Sequence, residues 1–153
     1  MDWSEVAEML ASWRNYWVCT TTADGAPHAA PVWGVVVDEV LFFYTEDTTV
    51  KARNLAADPR VVIHSESGDD VLIVHGSADL VGRPSERPDV IAAFAVKYTA
   101  AGDAQYLPAD TDRLNVFYAL RPGTAISWLL DAFEGSQRRW AAPAEPIVND
   151  ASS

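Results

Sequence analysis

The sequence is poor in the residues that build metal centres, disulfide frameworks and thiol redox pairs. Its 153 residues include one cysteine, Cys19, and three histidines, His28, His64 and His75. A single cysteine excludes a disulfide framework and a CxxC motif. No two histidines stand at metal-ligand spacing with a carboxylate, so we predict no metal site. The alternation of residues along a strand favours a surface or interface place for His75.

Positive charge is also scarce. The sequence has eleven lysines and arginines and 22 acidic residues, which gives a net charge of -11. This charge argues against nucleic acid or an anionic membrane as a partner. No apolar run approaches the ~18 residues of a membrane-spanning helix. The start of the chain, Met1–Glu5, lacks the basic flank and apolar stretch of a signal peptide. We therefore predict a cytoplasmic protein.

Several common catalytic and nucleotide-binding motifs are missing. There is no GxGxxG, GxxxxGK[ST], GxSxG or HExxH, which removes the sequence signatures of dinucleotide-binding, P-loop, serine hydrolase and zinc protease sites. What is present is 49% hydrophobic residues, with six Trp, five Tyr and five Phe. That composition is typical of a globular protein with a sizeable core.

The first third of the chain has the pattern of a helix followed by three short strands. Asp2 and Glu5 form a capping-box signature before helical spacing over residues 3–13. Residues 15–45 are rich in β-branched and aromatic residues and contain hairpin turn signals at Asp24-Gly25 and Asp38-Glu39. We predict three antiparallel strands here.

The remainder of the chain predicts two further helices and more strands. A helix over residues 48–57 ends before Pro59, and Ser85 is a candidate cap for a third helix through about Lys97. Strands are predicted over residues 60–65 and 71–81, and "LNVFYAL" and "AISWLL" predict a last pair around a turn at Arg121-Pro122-Gly123. Residues 99–112 have the composition of a long loop.

These elements predict an α+β fold. Six to seven short strands in hairpins, with two to three helices between them, indicate a small antiparallel β-barrel. We predict one domain over residues 1–141. The Ala/Pro-rich segment 142–153 is predicted to be a loosely ordered tail.

The predicted second helix has the features of an anion site. If it starts near Thr48, then Thr48, Lys51 and Asn54 lie along one side. The unpaired amides at the helix start, the positive end of the dipole, the hydroxyls of Thr48 and Thr49 and the Lys51 ammonium would converge, and phosphate is the usual occupant of such a place.

A simpler interpretation of the same segment is an exposed helix face. Lys51 and Arg53 would then pair with Glu46 or Asp47 in water, an interaction of well under ~1 kcal/mol. The residues alone favour neither interpretation.

Two motifs at a fixed separation resemble those of a known family. The segments "DGAPHAAPVW" and "KARNLAADPR", with "LFFYT" between them, are similar to the pyridoxamine 5′-phosphate oxidase-like split-barrel family, and most similar to its flavin- and deazaflavin-dependent oxidoreductase branch. The segments "RPGTAISW" and "RRW" extend the resemblance over about residues 3–141. The resemblance implies the FMN-binding split-barrel fold.

The resemblance also implies which residues hold the cofactor phosphate. Lys51 and Asn54 match the phosphate-binding positions, with Thr45 and Thr49 as hydroxyl donors, and Arg53 is a candidate for the outer acidic groups of the cofactor. Some relatives have an arginine two residues before the lysine, where this chain has Thr49. The phosphate site therefore has one charge fewer here.

Other positions match the cofactor ring and the substrate pocket. Val32 and Trp33 match the strand that lies against the isoalloxazine or deazaflavin ring. Trp128 matches a late position near the ring or substrate, although it is equally compatible with a core or interface aromatic. Tyr98, Tyr106 and Arg113, in or beside the long loop, either shape the substrate entrance or lie on the surface.

The function implied by the resemblance is hydride transfer. A coenzyme F-420-dependent reductase would pass hydride from the reduced deazaflavin to a conjugated or quinone-like small-molecule acceptor, with the cofactor in a groove between the subunits of a homodimer. The GC-rich, actinobacterial type of composition favours F-420 over FMN. The alternatives are an FMN-dependent oxidoreductase of the same type, or a non-enzymatic carrier of flavin, F-420 or heme. No side chain is identified as a catalytic proton donor.

Overall fold

The computed structural model describes residues 1–145. The strands are β1 (Asn15–Thr21), β2 (Pro27–Val37), β3 (Val40–Glu46), β4 (Arg60–His64), β5 (Asp70–Gly82), β6 (Asn115–Leu129) and β7 (Arg138–Ala141). The helices are α1 (Trp3–Ala11), α2 (Val50–Ala57), α3 (Pro88–Lys97) and α4 (Phe133–Ser136). The predicted strand number is confirmed, and α4, a single turn, is one helix more than predicted. Most of the predicted tail, residues 146–153, lies outside the described residues.

Six of the strands form a closed antiparallel barrel. The sheet order is β3-β2-β1-β4-β5-β6, and β3 also pairs with β6, which closes the ring. β7 adds to β6 as an extra strand. The antiparallel α+β barrel predicted from the sequence is confirmed. Among the described residues, no helix is both long and apolar enough to span a membrane.

The barrel is split between β2 and β3. β2 pairs with β1 over Pro27–Trp33 and with β3 only over Gly34–Val37. β3 then leaves β2 and continues along β6 as far as Glu46. Because the two strands diverge, a gap opens between residues 31–33 of β2 and residues 44–46 of β3.

Local signals account for the first elements of the fold. The Asp2 carboxylate accepts from the Glu5 amide at 2.9 Å, and the Glu5 carboxylate accepts from the Asp2 amide at 2.7 Å, so the predicted capping box of α1 is confirmed. Asp38 and Glu39 have φ of 50° and 64°. That left-handed pair is required by the two-residue hairpin turn favoured by strand twist.

The predicted turn at Arg121-Pro122-Gly123 is wrong. β6 runs unbroken through these residues and pairs with β5 along nearly its whole length. Its register shifts where His75 and Gly76 oppose Thr124 and Pro122, so Gly123 is the extra residue of a β-bulge. Proline is tolerated at a bulge because a ladder hydrogen bond is already absent there. A Cβ on Gly76 would lie 2.2 Å from the Arg121 carbonyl oxygen, which shows how closely the strands approach.

A second apolar cluster lies outside the barrel and fixes α3 beside the split. The barrel interior is filled by residues from all six strands together with α1 and α2. On the outer face, Phe94 of α3 stacks on Phe117 of β6 with ring centroids 6.1 Å apart and planes at 5°. Val35, Phe42, Val90 and Tyr98 complete the buried part of this cluster. α3 therefore ends next to the opening between β2 and β3.

The last residue of α3 carries a half-buried ammonium. Lys97 Nζ donates to the Tyr16 hydroxyl at 2.7 Å and to the Gly34 carbonyl at 2.8 Å, and it lies 4.8 Å from the centroid of the Tyr16 ring. Within residues 1–145, no carboxylate lies within ion-pair distance of it. Burial lowers the pKa of Lys97 to about 8.

We expect Lys97 to make stability depend on pH between about 8 and 10. The unfolded lysine has a pKa of ~10.4, so the unfolded chain binds more protons in this range and the folded state gains stability as pH rises. Tyr98 does not titrate there, because burial raises its pKa to about 12. Urea unfolding at pH 7 and pH 9.5 measures the effect. The stability of the parent relative to Lys97→Met should increase at the higher pH, and an unchanged difference would contradict the prediction.

Candidate functional site

A groove of about 460 Å³ occupies the split between β2 and β3. β2 and β3 form its two sides, the start of α2 closes one end, and the loop after α3 contributes a further wall. The lining residues are Asn15, Pro31, Val32, Trp33, Tyr44, Thr45, Glu46, Thr49, Lys51, Tyr106 and Asn115. Five of the residues predicted to bind the cofactor are therefore brought together, namely Val32, Trp33, Thr45, Thr49 and Lys51.

Hydroxyl and amide groups define the α2 end of the groove. Thr49 is the N-cap, and its hydroxyl accepts from the Ala52 amide at 3.3 Å and donates to the Glu46 carbonyl at 3.0 Å. The Thr45 hydroxyl lies 2.9 Å from that of Thr49. The first amides of a helix have no intrahelical acceptor, so this end presents donors and the positive end of the helix dipole.

Lys51 is a half-buried cation in the same place. Among residues 1–145, no carboxylate lies within ion-pair distance of its ammonium, and burial lowers its pKa from the usual value. Glu46 lines the groove without pairing with it, and Asp47 instead binds Arg83 at 2.7 Å. The interpretation in which Lys51 pairs with Glu46 or Asp47 is therefore wrong. An incoming anion would remove the cost of the uncompensated charge.

Two predicted cofactor residues on α2 do not line the groove. Arg53 is exposed, and its guanidinium donates to the Thr48 carbonyl at 3.0 Å. Asn54 is buried, and its amide nitrogen donates to the Thr20 hydroxyl of β1 at 3.0 Å. Asn54 therefore ties α2 to the barrel in this chain, and its predicted phosphate contact stays a prediction.

An aromatic cluster forms the opposite end of the groove. The Trp33 ring stacks on Tyr98 with centroids 4.2 Å apart and planes at 7°. The Arg14 guanidinium carbon lies 5.0 Å from the Trp33 centroid, and Tyr106 meets Trp33 edge to face at 6.0 Å. Sequence reasoning identified Trp33, but the partners that fix its ring come from distant segments of the chain.

β2 pairs with β3 over residues 34–37, and within the described residues it does not pair with β3 beside the groove. Residues of an antiparallel pair alternate between those that exchange backbone hydrogen bonds with the partner strand and those that face away. Pro31 has no amide hydrogen, so Pro31 and Trp17 of β1 form a pair that does not exchange backbone hydrogen bonds. Ala29 and Trp33 share that orientation, so their backbone N–H and C=O groups point away from β1.

Trp128 does not reach the groove of its own chain. It lies on β6 opposite Val71, half-buried, and meets the Phe133 ring edge to face at 5.9 Å. Within one chain the structure places it with the aromatic side chains at the end of β6. Its predicted contact with cofactor or substrate requires a second subunit.

The other candidate residues are divided between the groove and the surface. Tyr106 lines the groove, whereas Tyr98 is buried beneath Trp33 and Arg113 is exposed. The surface position predicted for His75 is confirmed. Lining residues that sequence reasoning did not identify are Asn15, Pro31, Tyr44, Glu46 and Asn115. Tyr44 and Pro31 lie within the quoted family motifs, which was the available signal for them.

Comparisons with known proteins agree with this architecture. Residues 3–121 match the family model of pyridoxamine 5′-phosphate oxidase. No curated protein matches the sequence. Similar solved structures include a conserved hypothetical protein from Mycobacterium tuberculosis, with 22% identity, coverage of 98% of this chain and 94% of that one, and a TM-score of 0.67.

Two further similar structures differ from each other in what their names describe. An F-420 reductase is 24% identical over 77% of this chain and 94% of its own, with a TM-score of 0.60. A heme binding protein from Mycobacterium smegmatis is 21% identical over 92% of this chain and 58% of its own, with a TM-score of 0.67. At these identities the likeness shows the fold.

Proposed function

The chain belongs to the pyridoxamine 5′-phosphate oxidase family, and on that premise we propose that it is an oxidoreductase whose groove between β2 and β3 binds coenzyme F-420. The acceptor is a conjugated or quinone-like small molecule. The observation that carries the proposal is Lys51, half-buried with no carboxylate partner within residues 1–145, among the hydroxyl groups at one end of a groove whose other end is aromatic. A cofactor that carries a phosphate group and an aromatic ring system has one group that suits each end of the groove.

The α2 end of the groove is suited to the phosphate. Lys51 supplies positive charge, and Thr45 and Thr49 supply hydroxyl groups. The first amides of α2 supply N–H groups that can donate hydrogen bonds to phosphate oxygens. Asn54 orients α2 through Thr20. Hydrogen bonds to a charged group are stronger than neutral ones, so this end provides much of the affinity.

The ring would lie along β2. Flavins and deazaflavins share a pyrimidine edge of alternating acceptors and donors, which would pair with backbone groups on the side of β2 that faces away from β1. When bound in its reduced form, F-420 supplies the hydride. The chain itself orients the ring against Val32 and Trp33 and excludes water from it.

A homodimer completes the site in this proposal. All six tryptophans are only partly buried in the single chain, and Leu129, Leu130 and Phe133 beside Trp128 are 44%, 58% and 46% exposed. Interfaces favour Trp, and a second copy would cover this apolar surface. Light scattering at micromolar concentration should give a mass near twice the 16.7 kDa of one chain. A monomer that still binds cofactor would contradict the proposal.

Titration with each cofactor tests the proposed function. The purified protein is titrated with F-420 and FMN, and reduced F-420 is then offered 2-methyl-1,4-naphthoquinone as a model acceptor. Tight F-420 binding with turnover supports the main proposal, and tight FMN binding with turnover supports the flavin alternative. Binding without turnover of the acceptor indicates a carrier. Among the described residues that line the groove there is no His, Cys or Met, so a heme iron there would have Tyr44 or Tyr106 as its side-chain ligand.

We expect Arg53 to favour a cofactor with a long acidic tail. Arg53 lies on the exposed face of α2, whereas Arg60 is held by Asp58 at 2.7 Å. Arg53→Glu should therefore weaken binding of F-420 with a polyglutamate tail about two- to fivefold more than binding of FMN. Added salt should reduce the difference, since exposed charges are screened beyond ~8–10 Å.

Arg60→Glu is the matched control for this prediction. It makes the same charge change at a residue whose guanidinium already binds Asp58, a contact that lowers the Asp58 pKa to about 2. Arg60→Glu should therefore raise the Kd of F-420 relative to the Kd of FMN by a smaller factor than Arg53→Glu does. Equal losses for F-420 and FMN in Arg53→Glu would mean that the tail runs elsewhere.

A further inference from the structure

Tyr106 is an exposed aromatic side chain in a fixed place at the groove. It is 62% exposed and ends the single 3-10 turn Asp103–Tyr106. Its ring meets Trp33 edge to face with planes at 87°, and its carbonyl accepts from the Tyr44 hydroxyl at 2.6 Å. An exposed aromatic ring is therefore held in a fixed position at the groove.

The loop that carries Tyr106 is anchored by a bidentate ion pair. Asp103 is 4% exposed and accepts from both terminal nitrogens of Arg14, at 2.7 and 3.0 Å. It also accepts from the Ala100 amide at 3.0 Å. Arg14 in turn lies over the rings of Trp33 and Tyr98. The loop and the ring end of the groove thus form one connected unit.

Charge in the groove selects among acceptors. Lys51 is the only basic residue of the described chain that lines the groove, and Glu46 is the only acidic one. In the proposed function the cofactor phosphate neutralises Lys51, so the lining retains an acidic side chain in a protein of net charge -11. Such a lining repels an anionic acceptor and tolerates a neutral one.

We propose that Tyr106 is the residue that binds the acceptor, and that this acceptor is a neutral, planar, conjugated molecule. The inference rests on the proposed function, because an acceptor would have to approach the bound ring to ~3–3.5 Å. Of the aromatic residues that line the groove in the described chain, Tyr106 is the most exposed. It therefore determines specificity for the acceptor, while Lys51 determines cofactor binding.

Direct binding of a quinone, with and without cofactor, tests the inference. The probe is 2,3-dimethyl-1,4-naphthoquinone, whose substituted ring resists addition of the Cys19 thiol, and binding is measured by quenching of tryptophan fluorescence. Tyr106→Ala should raise the Kd of the quinone, and the KM for turnover, about two- to tenfold, the range for loss of an aromatic pair. The Kd of the cofactor should stay within twofold of the parent value.

Control variants separate the contribution of the Tyr106 ring from that of its hydroxyl group and from the charge of the groove. Tyr106→Phe keeps the ring and should keep the parent Kd for the quinone. With the cofactor bound, an analogue of the quinone with a short carboxylate side chain should have a higher Kd for the parent than the neutral quinone, and Glu46→Gln should reduce that difference in Kd. Because Tyr106 is 62% exposed, the variants should unfold at the same urea concentration as the parent.

The possible outcomes distinguish failure of the proposed cofactor function from failure of the proposed role of Tyr106. If the chain binds neither cofactor but binds the neutral quinone in a Tyr106-dependent way, the proposed cofactor function is wrong and the acceptor site stands. If cofactor binds and Tyr106→Ala leaves quinone binding and KM unchanged, the inference is overturned. It is also overturned if Tyr106→Ala weakens cofactor and quinone equally, since Tyr106 would then contact the cofactor ring.

Discussion

Replacement of Lys51 by alanine is expected to weaken binding of F-420 and of FMN roughly ten- to 150-fold, the equivalent of the 1.5–3 kcal/mol of a hydrogen bond to a charged group. The reason is that Lys51 is half-buried with its pKa lowered by burial alone. No carboxylate within residues 1–145 compensates its charge. The phosphate would be its first close counter-ion, so the substitution removes that interaction completely.

Fluorescence titration with each cofactor measures the loss, and two variants control for it. Lys51→Arg keeps a positive charge at the end of the groove and should recover most of the affinity. Arg53→Ala removes a cation from the exposed face of the same helix and should change FMN binding less than twofold. If Lys51→Ala binds both cofactors as well as the parent does, the phosphate does not lie at α2.

Phe117→Ala is expected to lower the stability of the fold by about 3–5 kcal/mol, the usual cost of removing a buried phenyl ring. Phe117 is fully buried, stacks on Phe94 of α3 and faces Tyr44 across the β3–β6 pair. The cavity would loosen the contact that holds α3 beside the split. At 2–4 °C per kcal/mol, the melting temperature should fall by roughly 6–20 °C.

Thermal and urea unfolding measure this loss, and Tyr106→Ala is its control. An aromatic ring is removed there from a site that is 62% exposed, so the loss should be clearly smaller. Equal losses in the two variants would show that the outer cluster does not stabilise the fold as the burial of Phe117 indicates. Cofactor binding by Phe117→Ala at low temperature then reports whether the groove survives.

The parts of the fold that could be predicted from the sequence depend on short-range chemistry. The capping box of Asp2 and Glu5 and the two-residue turn at Asp38 and Glu39 each involve neighbours along the chain, and both form. Alternating apolar residues placed the strands, because one face of each must fill the barrel. The helix α2 starts at Val50 with Thr49 as its cap, close to the predicted start at Thr48.

The turn predicted at Arg121-Pro122-Gly123 failed because a long-range pairing overrides a local signal. The residues have turn chemistry, but β5 offers β6 a continuous partner from Asp70 to Gly82. Pairing along that strand stabilises the chain more than a local turn would, and the one extra residue of β6 forms a bulge. A pattern confined to three residues cannot report a partner strand 40 residues away.

The site was predictable where the family motifs or the start of α2 carry it. Lys51, Thr45 and Trp33 belong to quoted motifs and lie in the groove, and Thr49 lies there as the predicted helix start indicates. The contacts that hold the aromatic end join Arg14 to Asp103, 89 residues apart. No periodicity links two such positions, because their meeting depends on the closed barrel bringing β1 and the loop after α3 together.

The open edge of β2 also exposes the protein to self-association. A strand edge with free N–H and C=O groups accepts a strand from another molecule, the first step of β-sheet aggregation. Pro27 and Pro31 interrupt that edge, since neither can donate a hydrogen bond. Valine at both positions would leave the strand able to form a continuous intermolecular ladder. The two prolines therefore limit strand pairing at this edge while leaving the backbone between them able to bind a small ring.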